Sequence, residues 1–157
     1  MPLPEAVVSV LRGFPELDAD EQAFPFVTVD EQGYPHSALL SRSELEPSTP
    51  GEALLAVVAG ARTRANLRRD GRAALIVVDG TVCHHVKLRL VSARDHGDLL
   101  GCVFEAVEHK PDSLGIPLRP LGFRTESEIA RRERWSQTAA ILAELDRDHE
   151  HRSDPPG

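Results

Sequence analysis

The stretch that decides the fold is "AGARTRANLRRDGRAALIVVDG", residues 59–80. It predicts a short helix over residues 63–70 and a strand over residues 72–79, with Gly71 ending the helix between them. The same stretch concentrates positive charge in a protein whose net charge is −7. Its five arginines are Arg62, Arg64, Arg68, Arg69 and Arg72.

The rest of the chain predicts more strands than helices. Patterns rich in β-formers and bounded by turn residues mark strands at 24–29, 35–41, 52–60, 81–93 and 99–108, in addition to 72–79. Helices are predicted at 4–13 and, after a "TESE" capping box at 125–128, up to about residue 145. Residues 110–125, with three prolines and a glycine, predict a loop. The pattern favours a mainly β fold (α+β), an antiparallel barrel or sandwich.

Length and composition predict one domain over residues 1–145, followed by a disordered polar tail at 146–157. A chain of 157 residues that is 41% hydrophobic is large enough for one core. We expect removal of the tail to leave the stability unchanged.

Charge and hydropathy exclude several kinds of partner. The net charge of −7 disfavours nucleic acid and anionic membranes as partners, and the sequence contains no apolar run of membrane-spanning length.

The two cysteines are far apart and form no CxxC pair, so we expect no metal site. Because the first residues do not form a signal peptide, we expect a cytoplasmic protein.

Arg62 and Thr63 stand where the short helix is predicted to begin. A helix N-terminus is electropositive, so arginine there is unfavourable unless an anion compensates it. Free backbone N–H groups, a threonine hydroxyl and guanidinium groups together suit phosphate oxygens. The alternative is that the arginines are solvated and that Thr63 only caps the helix.

The order "QGYPH", "LLAVVAGARTRANLRRDGRAALIVVD", "HHVKLRL" resembles the pyridoxamine 5′-phosphate oxidase-like family of FMN-binding split β-barrels. The resemblance covers about residues 22–110. It implies a split β-barrel with a short helix after the third strand and a C-terminal helix. The matching positions are Gly60, Arg62, Asn66, Leu67, Arg72 and Leu75.

The resemblance assigns three residues near the cofactor phosphate. Arg62 falls at the family's phosphate-binding arginine. Thr63 stands where many members have a phosphate-binding lysine, which implies weaker binding. Asn66 falls at a polar position near the cofactor.

The resemblance assigns further residues to the flavin ring. His36, Ser37 and Leu39 belong to the strand that lines the ring, and His85 falls at a polar contact to it. Neighbouring residues of a strand point to opposite faces, so His84 is predicted to lie in the core and His85 on the more polar face.

The resemblance implies an FMN-dependent oxidoreductase that acts on a small-molecule substrate as a homodimer, with the flavin between subunits. The C-terminal substrate-binding pattern of true pyridoxamine phosphate oxidases is not found. Two alternatives stay open: a non-catalytic split barrel that binds FMN, another flavin or haem, and a dimer that has lost its cofactor.

Overall fold

The structure is a computed structural model, and it describes residues 1–153. The helices in this range are α1 (Glu5–Leu11), α2 (Ala61–Arg69), α3 (Ser127–Arg132) and α4 (Trp135–Ser153). The strands are β1 (Asp20–Gln22), β2 (Phe24–Val29), β3 (Pro35–Leu40), β4 (Leu45–Pro47), β5 (Ala53–Val58), β6 (Arg72–Asp79), β7 (Val82–His96), β8 (Leu99–Ser113) and β9 (Gly122–Arg124). None of these helices is long and apolar enough to cross a membrane.

Seven of the strands form one antiparallel sheet in the order β3-β2-β6-β7-β8-β5-β4, and β1 pairs with β9 in a separate ribbon. The sheet is curled: α1 contacts both β4, at one edge of the sheet, and β6, near its middle. The expected antiparallel barrel is therefore present as a curled sheet with β3 and β4 at its edges.

The main core lies inside the curl. Burial alternates strictly along β2, which places Phe24 and Phe26 inside and leaves Pro25 and Val27 half-buried on the outer face. The rings of Phe26 and Phe104 meet edge to face, with their centroids 5.6 Å apart. Helix α1 adds fully buried side chains at one end of this core.

A second, smaller core lies on the outer face of β5 and β8. Ile141, Leu142 and Leu145 of α4 pack there against side chains of those two strands. Strand β5 is consequently buried at every position, which is why its sequence shows no polar alternation. The outer face of β2, β6 and β7 has no such helix over it among residues 1–153.

Most predicted elements are confirmed, with some shifted ends. Strands β2 and β6 begin and end where the sequence predicts. Helix α2 begins two residues early, with Gly60 as its N-cap, so the interpretation of Thr63 as the cap is wrong. The predicted loop at 110–125 is wrong at both ends, because β8 continues to Ser113 and β9 occupies 122–124.

The C-terminal prediction needs three corrections. The single helix predicted from 125 is split into α3 and α4 at Arg134, whose φ of 54° is left-handed. The "TESE" capping box is wrong because the Thr125 hydroxyl instead donates to the Glu16 carbonyl (2.6 Å) and accepts from the Ala19 N–H (3.0 Å). The tail predicted at 146–157 is helical as far as Ser153, and 154–157 lie outside the described residues.

Deleting residues 146–157 is now expected to lower the melting temperature by roughly 2–6 °C. The reason is that the Asp146 carboxylate accepts hydrogen bonds from the backbone N–H and the hydroxyl of Thr49, at 2.8 and 2.9 Å. Thermal unfolding followed by circular dichroism measures the effect. A truncation after Ser153, which keeps these bonds, is the matched control. Equal melting of the two truncated chains would show that the Asp146 contact contributes nothing.

Candidate functional site

A polar cleft of about 440 Å³ lies between the first two turns of α2 and the β2–β3 hairpin. Three predicted site residues, Arg62, Asn66 and His36, meet in it. The cleft is further lined by Asp30, Glu31, Gln32, Ala65 and Arg69. The cleft therefore holds two of the three residues assigned near the phosphate, Arg62 and Asn66, together with His36, which was assigned to the flavin ring.

Helix α2 presents one polar face to this cleft. Arg62, Asn66 and Arg69 follow the i, i+4, i+7 spacing that places side chains on one side of a helix. The Asn66 amide donates to the buried Thr28 hydroxyl on β2 at 3.0 Å, and this bond fixes the helix against the sheet. Arg69 was not assigned a role from the sequence, although its seven-residue spacing from Arg62 carried the signal.

The N-terminus of α2 has no capping side chain. Gly60 is the N-cap, and its carbonyl accepts the first helical hydrogen bond from the Arg64 N–H at 3.0 Å. The N–H groups that precede Arg64 in the helix have no carbonyl of their own turn to bind. No acidic residue occupies the first turn, so the positive end of the helix dipole is not compensated locally.

Four of the five arginines are already occupied by acceptors of the same chain. Two of them donate to acceptors near α2: Arg64 to the Ala59 carbonyl (3.2 Å), and Arg69 to the Asn66 amide oxygen (3.1 Å) and the Val29 carbonyl. The other two form ion pairs, Arg68 with Asp95 and Arg72 with Asp70 (2.7 Å). The last pair holds the pKa of Asp70 down at about 2. Among the side chains that the structure describes, those of residues 1–150, Arg62 alone of the five has a guanidinium with no hydrogen bond or ion pair.

Neither acid of the cleft forms an ion pair with Arg62 among the described residues. One oxygen of the Asp30 carboxylate accepts the backbone N–H groups of Gln32 (2.9 Å) and Tyr34 (2.8 Å), so Asp30 serves the hairpin turn. Glu31 is exposed and lies on the same turn. An exposed guanidinium beside uncapped N–H groups suits a phosphate, because both kinds of donor form charge-assisted hydrogen bonds to its oxygens.

The remaining site residues lie elsewhere. Thr63 is only 2% exposed and does not line the cleft, so its hydroxyl faces the protein rather than a ligand there. Ser37 and Leu39 alternate with His36 along β3 and therefore occupy the opposite, outer face. His85 shares that outer face. One chain therefore does not gather the whole predicted set around one cleft.

The prediction for the two neighbouring histidines is confirmed. His84 is buried, and its Nδ1 lies 2.9 Å from Nε2 of His109, with the two rings forming one hydrogen bond. Burial lowers the pKa of His84, and the nearby His109 lowers it further. His85 lies on the outer face, where its Nε2 is 3.1 Å from the Asp112 carboxylate.

The outer face of the sheet that α4 leaves bare carries an apolar patch, which we call the outer patch. Its members are Pro25, Val27, Leu39, Ala74, Ile76 and Val78. Leu39 is 58% exposed, and the β2 and β6 members are half-buried. Ion pairs border the patch on β7 and β8, where Lys87 meets Glu108 and Arg89 meets Glu105. An apolar area with a polar border is typical of a protein–protein interface.

Comparison with known proteins shows similarity in structure only. No model of a protein family and no curated protein matches the chain. Among solved structures, the styrene monooxygenase flavin reductase of Pseudomonas putida superposes with a TM-score of 0.51 at 11% identity, over 76% of this chain and 97% of its own.

Two further structures are similar to the same extent. Nitrilotriacetate monooxygenase component B of Mycobacterium thermoresistibile gives a TM-score of 0.52 at 13% identity, over 68% of this chain and 77% of its own. Flavin reductase PheA2 gives a TM-score of 0.50 at 13% identity, over 68% of this chain and 87% of its own. The chain therefore has the split β-barrel fold of these proteins, as the resemblance over residues 22–110 predicted.

Proposed function

We propose that this chain is a flavin-dependent oxidoreductase that binds FMN, with the cofactor phosphate held by Arg62 at the start of α2. The observation that carries the proposal is the Arg62 guanidinium, which has no partner among the described side chains of residues 1–150. It lies beside uncapped helix N–H groups and lines a cleft of about 440 Å³. The names of the similar structures, two of which are flavin reductases, support the flavin at the level of the fold.

The cleft suits the polar half of FMN. Arg62 donates to the phosphate, and the first N–H groups of α2 donate beside it; Thr63 takes part through its backbone rather than its buried hydroxyl. Asn66 and His36 lie further along the cleft, within reach of the ribityl hydroxyls. When bound, the flavin supplies the two-electron redox chemistry, while the protein holds and orients it.

The flavin ring needs an apolar surface that the cleft of one chain does not provide. We propose that two copies associate through the outer patch and form a homodimer. Ser37, Leu39 and His85 would then lie at the subunit boundary, where a second copy brings them to a ring held by the first. This arrangement accounts for predicted site residues on two faces of one sheet.

Anaerobic titration of the FMN-loaded protein with NADH and then with NADPH tests the oxidoreductase proposal. We expect one of them to bleach the flavin absorption band stoichiometrically. Flavin that stays oxidised with both donors would favour the non-catalytic carrier. A purified protein with a Soret band and no flavin bands would favour haem and contradict the FMN proposal.

A further inference from the structure

A second cleft, which shares only Leu39 with the outer patch, lies at the far end of β3 beneath the α3–α4 segment. Its volume is about 290 Å³. Six of the side chains that line it are apolar: Ala23, Leu39, Leu40, Phe123, Ile129 and Trp135. Two more are acidic, Glu44 and Glu133. We call this space the Glu44 cleft.

The Glu44 carboxylate is fixed in place by its own loop. One of its oxygens accepts the Ser41 N–H at 3.1 Å, and the other accepts the Ser43 hydroxyl at 3.3 Å. The hydroxyls of Ser41 and Ser43 lie 2.6 Å apart. These neutral donors orient the carboxylate without neutralising it.

The charges around Glu44 have one sign. Glu133 faces it from the α3–α4 segment, and the residues lining the cleft include no lysine, arginine or histidine. The adjacent Arg134 is paired with Asp98 at 3.0 Å. Burial is the main cause that raises the pKa of Glu44 to about 7, and the charge of Glu133 raises it too.

From this geometry we propose that the Glu44 cleft binds a small organic cation, namely a primary amine carried on a compact apolar ring. The ammonium donates to the Glu44 carboxylate, with Glu133 adding attraction, and the ring packs against Trp135 and Ile129. Charge complementarity selects a cation, and the apolar walls select its body. The site is separate from the Arg62 cleft and shares only Leu39 with the outer patch. Its two carboxylates and its Trp135 and Ile129 wall take no part in the flavin proposal, so the inference goes beyond that proposal.

Benzylamine is the probe, and the fluorescence of Trp135 reports its binding, because Trp135 is the single tryptophan of the sequence. The titration uses the full chain without added flavin, so that its outcome is independent of the flavin proposal. We expect a saturable change in emission with benzylamine, a much weaker one with neutral benzyl alcohol, and none with benzoate.

The pH dependence has a defined sign. Below pH 7 Glu44 is protonated and neutral, and above it Glu44 is ionised. Benzylamine binding should therefore tighten about tenfold between pH 6 and pH 8. Glu44→Gln should weaken binding at pH 8 by about ten- to a hundredfold and abolish the pH dependence.

Glu46→Gln is the matched control. Its carboxylate is also partly buried, but it lies on β4 beside Asp146 and does not line the Glu44 cleft, so binding should be unchanged. The proposal is overturned if benzylamine causes no saturable change in Trp135 emission and no saturation transfer in its own NMR spectrum. It is equally overturned if benzoate binds as well as benzylamine, or if Glu44→Gln binds as tightly as the natural chain.

Discussion

Arg62→Ala is expected to weaken FMN binding by about ten- to a hundredfold and to leave riboflavin binding unchanged. A charge-assisted hydrogen bond contributes about 1.5–3 kcal/mol to binding. Riboflavin has no phosphate to accept this bond from Arg62, so its affinity does not depend on it. The Arg62 guanidinium makes no hydrogen bond or ion pair with the described side chains of residues 1–150, so its removal should not disturb the fold. Isothermal titration of both proteins with both ligands measures the effect.

Arg68→Ala is the matched control for this prediction. Arg68 belongs to the same helix but pairs with Asp95 and does not line the cleft, so its loss should hardly change FMN binding. If Arg62→Ala weakened FMN and riboflavin equally, Arg62 would act through the fold or the ring rather than through the phosphate.

Ile76→Asp is expected to convert the dimer into a monomer, raising its dissociation constant by at least about a hundredfold. Ile76 lies in the outer patch, and burying an unpaired carboxylate in an interface costs several kcal/mol. In the separate chain the position is half-buried at the sheet surface, so the monomer should stay folded. The mass measured by light scattering should fall from twice the chain mass of 17.2 kDa in the natural protein to one chain mass in the variant.

Leu17→Asp is the control for the dimer prediction, because Leu17 is 46% exposed and lies outside the seven-stranded sheet. It should leave the dimer intact. The proposed interface would be wrong if the natural chain were monomeric at micromolar concentrations, or if Ile76→Asp dimerised as well as Leu17→Asp. Since Ser37 and His85 share the face of Ile76, we also expect the monomeric variant to bind FMN more weakly.

The fold was predictable where the chain carries local signals of useful length. Strand β6 is an apolar run rich in β-branched residues between Gly71 and Gly80, and both of its ends were predicted. Strands β1, β4 and β9 have three residues each, too few to show a period, and all three were missed. The helix break at Arg134 was also not predictable from the sequence. A residue with a left-handed backbone is normally expected to be glycine, and nothing local marks an arginine for that conformation.

The candidate site was predictable in part. Arg62, Asn66 and His36 line one cleft, whereas the resemblance placed the first two near the phosphate and His36 at the flavin ring. The sequence could not show that Arg62 is the one arginine of five without an acceptor, because the partner Asp95 of Arg68 lies 27 residues away and meets it only through the fold. Nor could it show that Thr63 is buried, which depends on where α2 begins.

The Glu44 cleft was missed for the same physical reason. Glu44 directly precedes β4, whereas Trp135 and Glu133 come about ninety residues later. Only the packing of the α3–α4 segment places the three together. The local sequence "SRSEL" at 41–45 gives no sign of the burial that raises the pKa of this carboxyl group.

The central claim is that the natural chain binds FMN through its phosphate, and the most direct test is to compare the dissociation constants of FMN and riboflavin by isothermal titration. The account predicts saturable binding of FMN, about ten- to a hundredfold tighter than that of riboflavin, with the difference lost in Arg62→Ala. No FMN binding at concentrations up to about a millimolar, or equal affinity for both ligands, would contradict it.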